Sequence, residues 1–305
     1  MLQVKPITSR FGAELSGVDI SKPLSDQDRD AILAAQTEWG VVVFRDTGLD
    51  NDGHVAFSRI FGYLEKAPLR PDSSPRYGHR ELFDAGNLTP DGSILRDEAM
   101  ILHKQGDRLW HHDSSFMKLR SSHSLLLCHE APEHEGPTWF ADTRAAWDDL
   151  PQEKKDRIAD LQCEHSMWWS RRLAGGPYSE EDIDARGLAT HPMVLEHPSS
   201  GRKVIYVGSH ARDVAGMDRE EGRALIRELI AWCTQPHYVF PVYYRPGDIV
   251  VWDNIAALHR GGDFDHVNKR RDMRRTTVRE NYDPSQPADP FLRMFEARIT
   301  STTRA

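Results

Sequence analysis

Cysteine is nearly missing from this 305-residue chain: Cys128, Cys163 and Cys233 stand far apart, odd in number and with no Cys-x-x-Cys pair. That spacing argues against a disulfide framework or a cysteine zinc site. It leaves three small apolar residues in a reducing compartment. Long apolar runs are missing as well. No stretch approaches the ~18–20 residues of a membrane-spanning helix, and the mean hydropathy is −0.61. Positive charge is not in excess, since 47 acidic residues against 39 basic ones give a net charge of −8. This speaks against a general binder of nucleic acid or of an anionic membrane. The first residues, Met1-Leu2-Gln3-Val4-Lys5-Pro6, carry no apolar signal region, so a cytoplasmic protein is expected. With no internal repeat and no linker between halves, one domain over residues 1–305 is expected.

What the chain does contain is a series of apolar segments punctuated by turn residues. Ser25 ahead of Asp26 and Asp28 is a helix N-cap signature, and Ile32, Leu33 and Gln36 continue at helical spacing to Gly40. Val41 to Phe44 predicts a buried strand, and His54 to Phe61 a helix closed by Gly62. Ser124 to Cys128, the segment after Gly136-Pro137, Val204 to Gly208, His237 to Tyr244, Ile249 to Trp252 and Arg274 to Val278 predict further strands. Helices are expected from Thr143 to Leu150, from Glu153 to Leu161, and from Glu220 to Cys233, whose Leu225, Ile226, Leu229 and Ile230 share one face. Met100-Ile101-Leu102-His103 is read as a strand. Residues 65–105 and 163–192, rich in Pro, Gly and charge, are read as loop insertions of the kind that form lids and binding loops. The tail from 283 is Pro-rich and then polar. Strands dominate, so the expected class is mainly β with flanking helices.

The chemistry concentrates in Trp110-His111-His112-Asp113-Ser114-Ser115-Phe116. On an extended strand His111 and Asp113 lie on the same face, and His112 on the other. A second histidine would complete a facial metal site, and His259, after Trp252-Asp253-Asn254, is the best candidate. Two histidines and one carboxylate with open positions form the ligand set of the non-heme Fe(II) oxygenases. Among fifteen histidines a His-x-Asp triplet alone is weak. Its companions strengthen it. In Lys269-Arg270-Arg271-Asp272-Met273-Arg274-Arg275, a strand would place Arg271, Met273 and Arg275 on one face. Two inward guanidiniums beside a metal are costly unless they meet anions, and a bidentate carboxylate is their natural partner.

These segments, with Gly136-Pro137-Thr138-Trp139-Phe140-Ala141-Asp142 between them, resemble the taurine / 2,4-dichlorophenoxyacetate dioxygenases, which depend on Fe(II) and 2-oxoglutarate. Weaker similarity runs from Gly12-Ala13-Glu14 through Val207-Gly208-Ser209-His210 to about Asn281. The resemblance implies a double-stranded β-helix, or jelly roll, as the core. It makes His111, Asp113 and His259 the iron ligands and the catalytic centre. Thr138 and Arg271 would hold the distal carboxylate of 2-oxoglutarate, whose keto acid end chelates the iron. Arg275 would lie close to the co-substrate or to the anion of the primary substrate. One extra residue between His259 and the double arginine lets Arg270 compete with Arg271; the match of Met273 and Arg275, and strand alternation, favour Arg271.

His210 matches a position near the substrate in phenoxyacetate-type members. Lys104 and Arg108 flank the metal motif and are candidates for binding a substrate anion. The implied reaction hydroxylates a small organic anion, an aryloxyalkanoate-like carboxylate first, as in aromatic compound catabolism, and a sulfonate or alkyl sulfate second. It consumes O2 and decarboxylates 2-oxoglutarate to succinate and CO2. Members of the family tend to be homo-oligomers, dimers or tetramers. A zinc-dependent jelly-roll hydrolase or isomerase, or a non-catalytic metal-binding module, would not need the anion pair Thr138 and Arg271. Trp168 and Trp169 are read as core or interface residues before an aromatic wall.

Overall fold

Three valines and a phenylalanine between Gly40 and Arg45 have no polar face to show to water, and they form a strand buried on both sides. The computed structural model describes residues 1–67 and 75–281. The chain opens with β1 (Gln3–Pro6), β2 (Ala13–Ser16), α1 (Asp26–Trp39), β3 (Val41–Phe44) and α2 (Asn51–Ser58). The Ser25 side chain accepts from the Asp28 N–H and caps α1, and Gly40 closes it at φ 69°. Next come β4 (Phe83–Asp84), α3 (Glu98–Gln105), β5 (Ser121–Glu130), β6 (Thr138–Asp142), α4 (Thr143–Asp148) and α5 (Gln152–Ile158). Then follow β7 (Gln162–His165), α6 (Met167–Leu173), α7 (Glu180–Asp184), β8 (Ala189–Pro192), β9 (Val194–Glu196) and β10 (Lys203–Ile205). The last elements are β11 (Ala211–Val214), α8 (Arg219–Cys233), β12 (Val239–Val242), β13 (Ile249–Asp253), β14 (Ala257–Gly261) and β15 (Asp272–Arg279).

Two sheets form the centre. One has seven strands in the order β1-β2-β3-β13-β5-β15-β4, the other three in the order β12-β6-β14. Their facing sides share a core, in which Val41, Val43, Leu126, Val250, Trp252 and Met273 of the large sheet meet Phe140, Phe240, Val242 and Ala257 of the small one. On its other side the large sheet is covered by α1 and α2, with Ile32, Ala35, Val55 and Phe57 against Val42, Leu125, Ile249 and Val251. The small sheet is covered by α4 and α8, with Ala145, Ala146, Leu225, Ile226 and Leu229 against Ala141 and Leu258. Each large apolar side chain so buried contributes roughly 1.5–3 kcal/mol. The protein is therefore mainly β with flanking helices.

Two expectations fail here. Met100-Ile101-Leu102-His103 is not a strand but part of α3, which Asp97 caps by accepting from the Met100 N–H. A four-residue apolar run does not distinguish the two states, and the cap and the surrounding helix formers decided it. The stretch 163–192 is no loop: β7 and β8 join β11 in a third sheet, and α6 and α7 lie between them. Its charges pair with one another and with neighbours, as Arg212 does with Glu180 and Asp184, while Cys163, Met167 and Ile183 are buried. The tail from 283 and the prolines at 68 and 71 lie outside the described residues.

Candidate metal centre and its anion pocket

β14 alternates, so Leu258 packs outward while His259 turns inward beneath the rings of Trp252 and Phe140, 4.8 and 6.2 Å away. Alongside it runs His111. The two form an antiparallel bridge, His111 N–H to His259 O at 2.9 Å and the reverse bond at 3.0 Å. Directly opposed residues point to the same face, and the ring centroids lie 4.2 Å apart.

Asp113 arrives by a different route from the one expected. The motif is not an extended strand; after the bridge at His111 it enters a turn, with Ser114 at φ 55°. The turn brings Asp113 Oδ1 to 3.8 Å from His111 Nε2 and Oδ2 to 3.6 Å from His259 Nε2. One ligand atom from each of the three buried residues lies within 4.8 Å of the others, so the set could hold a metal ion. His111 Nδ1 donates to Leu109 O at 2.7 Å, which leaves the Nε2 lone pair toward the centre. Burial above all, with the nearby Arg275 charge adding to it, holds the His259 ring well below the usual range and therefore neutral, as a ligand must be. Ser124 Oγ donates to Asp113 Oδ2 at 2.7 Å, and Arg275 Nη1 to Oδ1 at 2.6 Å.

A cavity of about 110 Å³ opens nearby, lined by Asn87, Leu95, Ile101, Lys104, Phe264 and Arg271 among others. Arg271 donates to Ala85 O at 2.8 Å and has the rings of Tyr244 and Phe264 5.8 Å away, and its buried Nε has no partner. Burial pulls this guanidinium below its usual range, the signature of a cation without an anion. Tyr244, in turn, donates to Thr138 Oγ1 at 2.7 Å. Arg271, Tyr244 and Thr138 thus form one polar corner of the inner face. A guanidinium with no carboxylate partner among the described residues, beside a buried His-Asp-His set, is what a metal-chelating dicarboxylate requires.

Residues 3–277 match the family described as "Taurine catabolism dioxygenase TauD, TfdA family". The chain belongs to this family. It is 38% identical over 271 residues to the alpha-ketoglutarate-dependent 2,4-dichlorophenoxyacetate dioxygenase of Burkholderia sp. (strain RASC), covering 88% of this chain and 91% of the relative. The (S)-phenoxypropionate/alpha-ketoglutarate-dioxygenase of Sphingobium herbicidovorans is 32% identical over 278 residues, covering 88% and 91%. The crystal structure of AAD-2 in complex with Mn(II) and N-oxalylglycine superposes with a TM-score of 0.84 at 34% identity, covering 94% of this chain and all of that one. As a member of this dioxygenase family the protein is an enzyme.

The other site candidates divide. Arg270 faces solvent and pairs with Glu130 at 3.0 Å, away from the cavity that Arg271 lines. Lys104 lines the cavity, but its ammonium is tied to Gly86 O at 2.7 Å and lies 3.7 Å from Asp84. Arg108 pairs with Asp263. His210 is buried edge-on to His111 at 5.5 Å and shares a hydrogen bond of 3.0 Å with Ser115 Oγ. His112 turns away, donating to Asn254 O at 2.7 Å and stacking on Tyr206 at 4.4 Å. Trp169 lies under Arg223 and Trp168 near Arg186, and neither lines the cavity.

Four residues of the site escaped the sequence reading. Tyr244 carried a faint signal, since alternation puts it on the face of Phe240 and Val242. Ser124 and Asn254 gave none by themselves. Neither did Glu65, a buried carboxyl that accepts from Ser114 Oγ at 3.4 Å and that burial pushes up to about 7 against the pull of Arg279 and Arg275.

Proposed function

We propose that this enzyme is an Fe(II)- and 2-oxoglutarate-dependent dioxygenase that hydroxylates a small organic anion, an aryloxyalkanoate-like carboxylate first. The observation that carries this reading is the pairing, on one inner face, of the His111–Asp113–His259 set with the anion corner of Arg271, Tyr244 and Thr138. His111, Asp113 and His259 would hold the iron, a ligand set that suits Fe(II) oxygenase chemistry. The iron with 2-oxoglutarate and O2 supplies the oxidising chemistry, and succinate and CO2 leave. Arg271 receives the distal carboxylate of 2-oxoglutarate in a charge-assisted pair, and the Thr138 and Tyr244 hydroxyls adjoin it. Arg275, part-exposed and paired with Asp113, would adjoin the co-substrate or the anion of the primary substrate. Leu95, Ile101 and Phe264 give the pocket an apolar lining.

The two packed sheets with outer helices support a double-stranded β-helix in one domain spanning the chain, and relatives that act on aryloxyalkanoates support a role in aromatic compound catabolism. We place the enzyme in the cytoplasm as a homo-oligomer. The hydrolase and binding-module alternatives are not favoured, because neither requires an anion corner. The test is turnover of aryloxyacetates, aryloxypropionates, sulfonates and alkyl sulfates, read as succinate release. Succinate formed from 2-oxoglutarate in the presence of aryloxyalkanoates, with a phenol released from them, supports the assignment; succinate formation with alkyl sulfates alone moves the enzyme to the second substrate class.

A further inference from the structure

We propose that Ser124 and Asn254 are positioning residues of the metal centre. Together they fix the rotation of the Asp113 carboxylate through a chain of hydrogen bonds whose direction is set at every link. The chain begins at Trp252, whose Nε1–H donates to Asn254 Oδ1 at 2.9 Å. An indole nitrogen only donates, so the Asn254 amide has one orientation, oxygen toward Trp252 and nitrogen toward Ser124. The Asp113 backbone N–H, also donor-only, meets the same oxygen at 3.3 Å and agrees. Asn254 Nδ2 then donates to Ser124 Oγ at 2.8 Å. A hydroxyl carries one proton, and since Ser124 accepts from the amide, that proton goes to Asp113 Oδ2 at 2.7 Å. Polarity runs one way, from indole to carboxylate, and ends on an oxygen that accepts.

Sheet register builds this chain. Ser124 of β5 lies directly opposite Trp252 of β13, and Asn254 follows β13 by one residue. Ser124 and Asn254 are both 0% exposed, so water does not compete for these bonds. The Asn254 backbone also pins the turn: its carbonyl accepts from His112 Nδ1 at 2.7 Å and its N–H donates to Ser122 O at 2.8 Å. With Arg275 on Oδ1 and Ser124 on Oδ2, the carboxylate plane is held from both sides.

This inference rests on the reading of His111, Asp113 and His259 as metal ligands. Loss of an outer partner that orients a ligand costs about 10–100-fold in metal affinity. The test is calorimetric and spectroscopic titration of the metal-free protein with Co(II), with a thermal melt of each variant. Ser124→Ala is expected to raise the Co(II) Kd by about 10–100-fold and to shift the visible Co(II) bands. Ser124→Thr, which keeps the hydroxyl, is expected to retain the parent affinity and spectrum. If Ser124→Ala does not fold, Ser124→Cys, similar in size with a weaker S–H donor, is expected to bind with intermediate affinity. Parent affinity and spectrum in Ser124→Ala, or in its Cys substitute, overturn the proposal. So does an equal loss in Ser124→Thr and Ser124→Ala, which would assign the effect to packing. A parent protein that takes up no Co(II) overturns the metal reading itself and this proposal with it.

Discussion

Replacing Arg271 by methionine should separate co-substrate binding from stability. Among the described residues, the Arg271 side chain hydrogen-bonds to the Ala85 carbonyl and to no carboxylate, and its Nε is buried without a partner. In the ligand-free protein the change removes one hydrogen bond, worth about 1 kcal/mol. It also relieves the desolvation of an unpaired guanidinium, so the two nearly cancel and net stability should change by no more than about 1 kcal/mol. The melting temperature would then move by only a few degrees, roughly 2–4 °C per kcal/mol for a protein approaching this size. With 2-oxoglutarate bound the balance reverses. The variant strands a buried carboxylate without its cation, a loss of about 2–5 kcal/mol, or roughly 30-fold to several-thousand-fold in Kd. Anaerobic titration of the Fe(II) protein with 2-oxoglutarate measures this loss, and titration with the metal alone should match the parent. Arg270→Met, at a surface ion pair with Glu130, serves as the control and should bind normally. Parent-like 2-oxoglutarate affinity in Arg271→Met would refute the reasoning. So would a loss of several kcal/mol in stability, which would make Arg271 a structural residue.

Three further outcomes are expected. Thr138→Val keeps the shape but removes the acceptor of the Tyr244 hydroxyl; the 2-oxoglutarate Kd should rise roughly 3- to 10-fold, by the same titration. A Cβ on Gly86 would stand 2.2 Å from the Arg271 carbonyl oxygen, so Gly86→Ala should lose about 1–3 kcal/mol in urea unfolding and weaken 2-oxoglutarate binding as Arg271 is displaced. Burial pushes His54 down to about 3, whereas the unfolded chain protonates it near ~6.5. Acid therefore favours the unfolded state, and stability falls as pH drops from ~6.5 toward 3. In His54→Leu the slope of stability against pH between pH 6 and 4 should be shallower by about 1.4 kcal/mol per pH unit; an unchanged slope would show that His54 does not titrate as described.

His111, Asp113 and His259 were legible as a candidate set because their companions are specific: a His-x-Asp triplet, a later histidine and a double arginine in fixed order. The geometry behind them was less so. Strand alternation was invoked for His111 and Asp113, yet the bridge between His111 and His259 and the turn at Ser114 bring the atoms together. Alternation does account for Arg275 reaching the centre from β15, and for Met273 in the inner core. Ser124 and Asn254 were hidden because their contact depends on the register of β13 against β5, which neither segment states alone. Stretch 163–192 was misread because its polar residues pair with each other and with neighbours such as Arg212, so high polarity there did not mean exposure to water. α3 shows the opposite error, an apolar run whose state was set by Asp97 just before it.

The most direct test of the proposed centre is anaerobic. Fe(II) and 2-oxoglutarate are added to purified protein, and the weak visible charge-transfer band of the chelated keto acid is sought in the parent and in His259→Ala. A band in the parent that is lost in the variant is the predicted result. No band in the parent, together with tight binding of zinc, would contradict the dioxygenase assignment of this site.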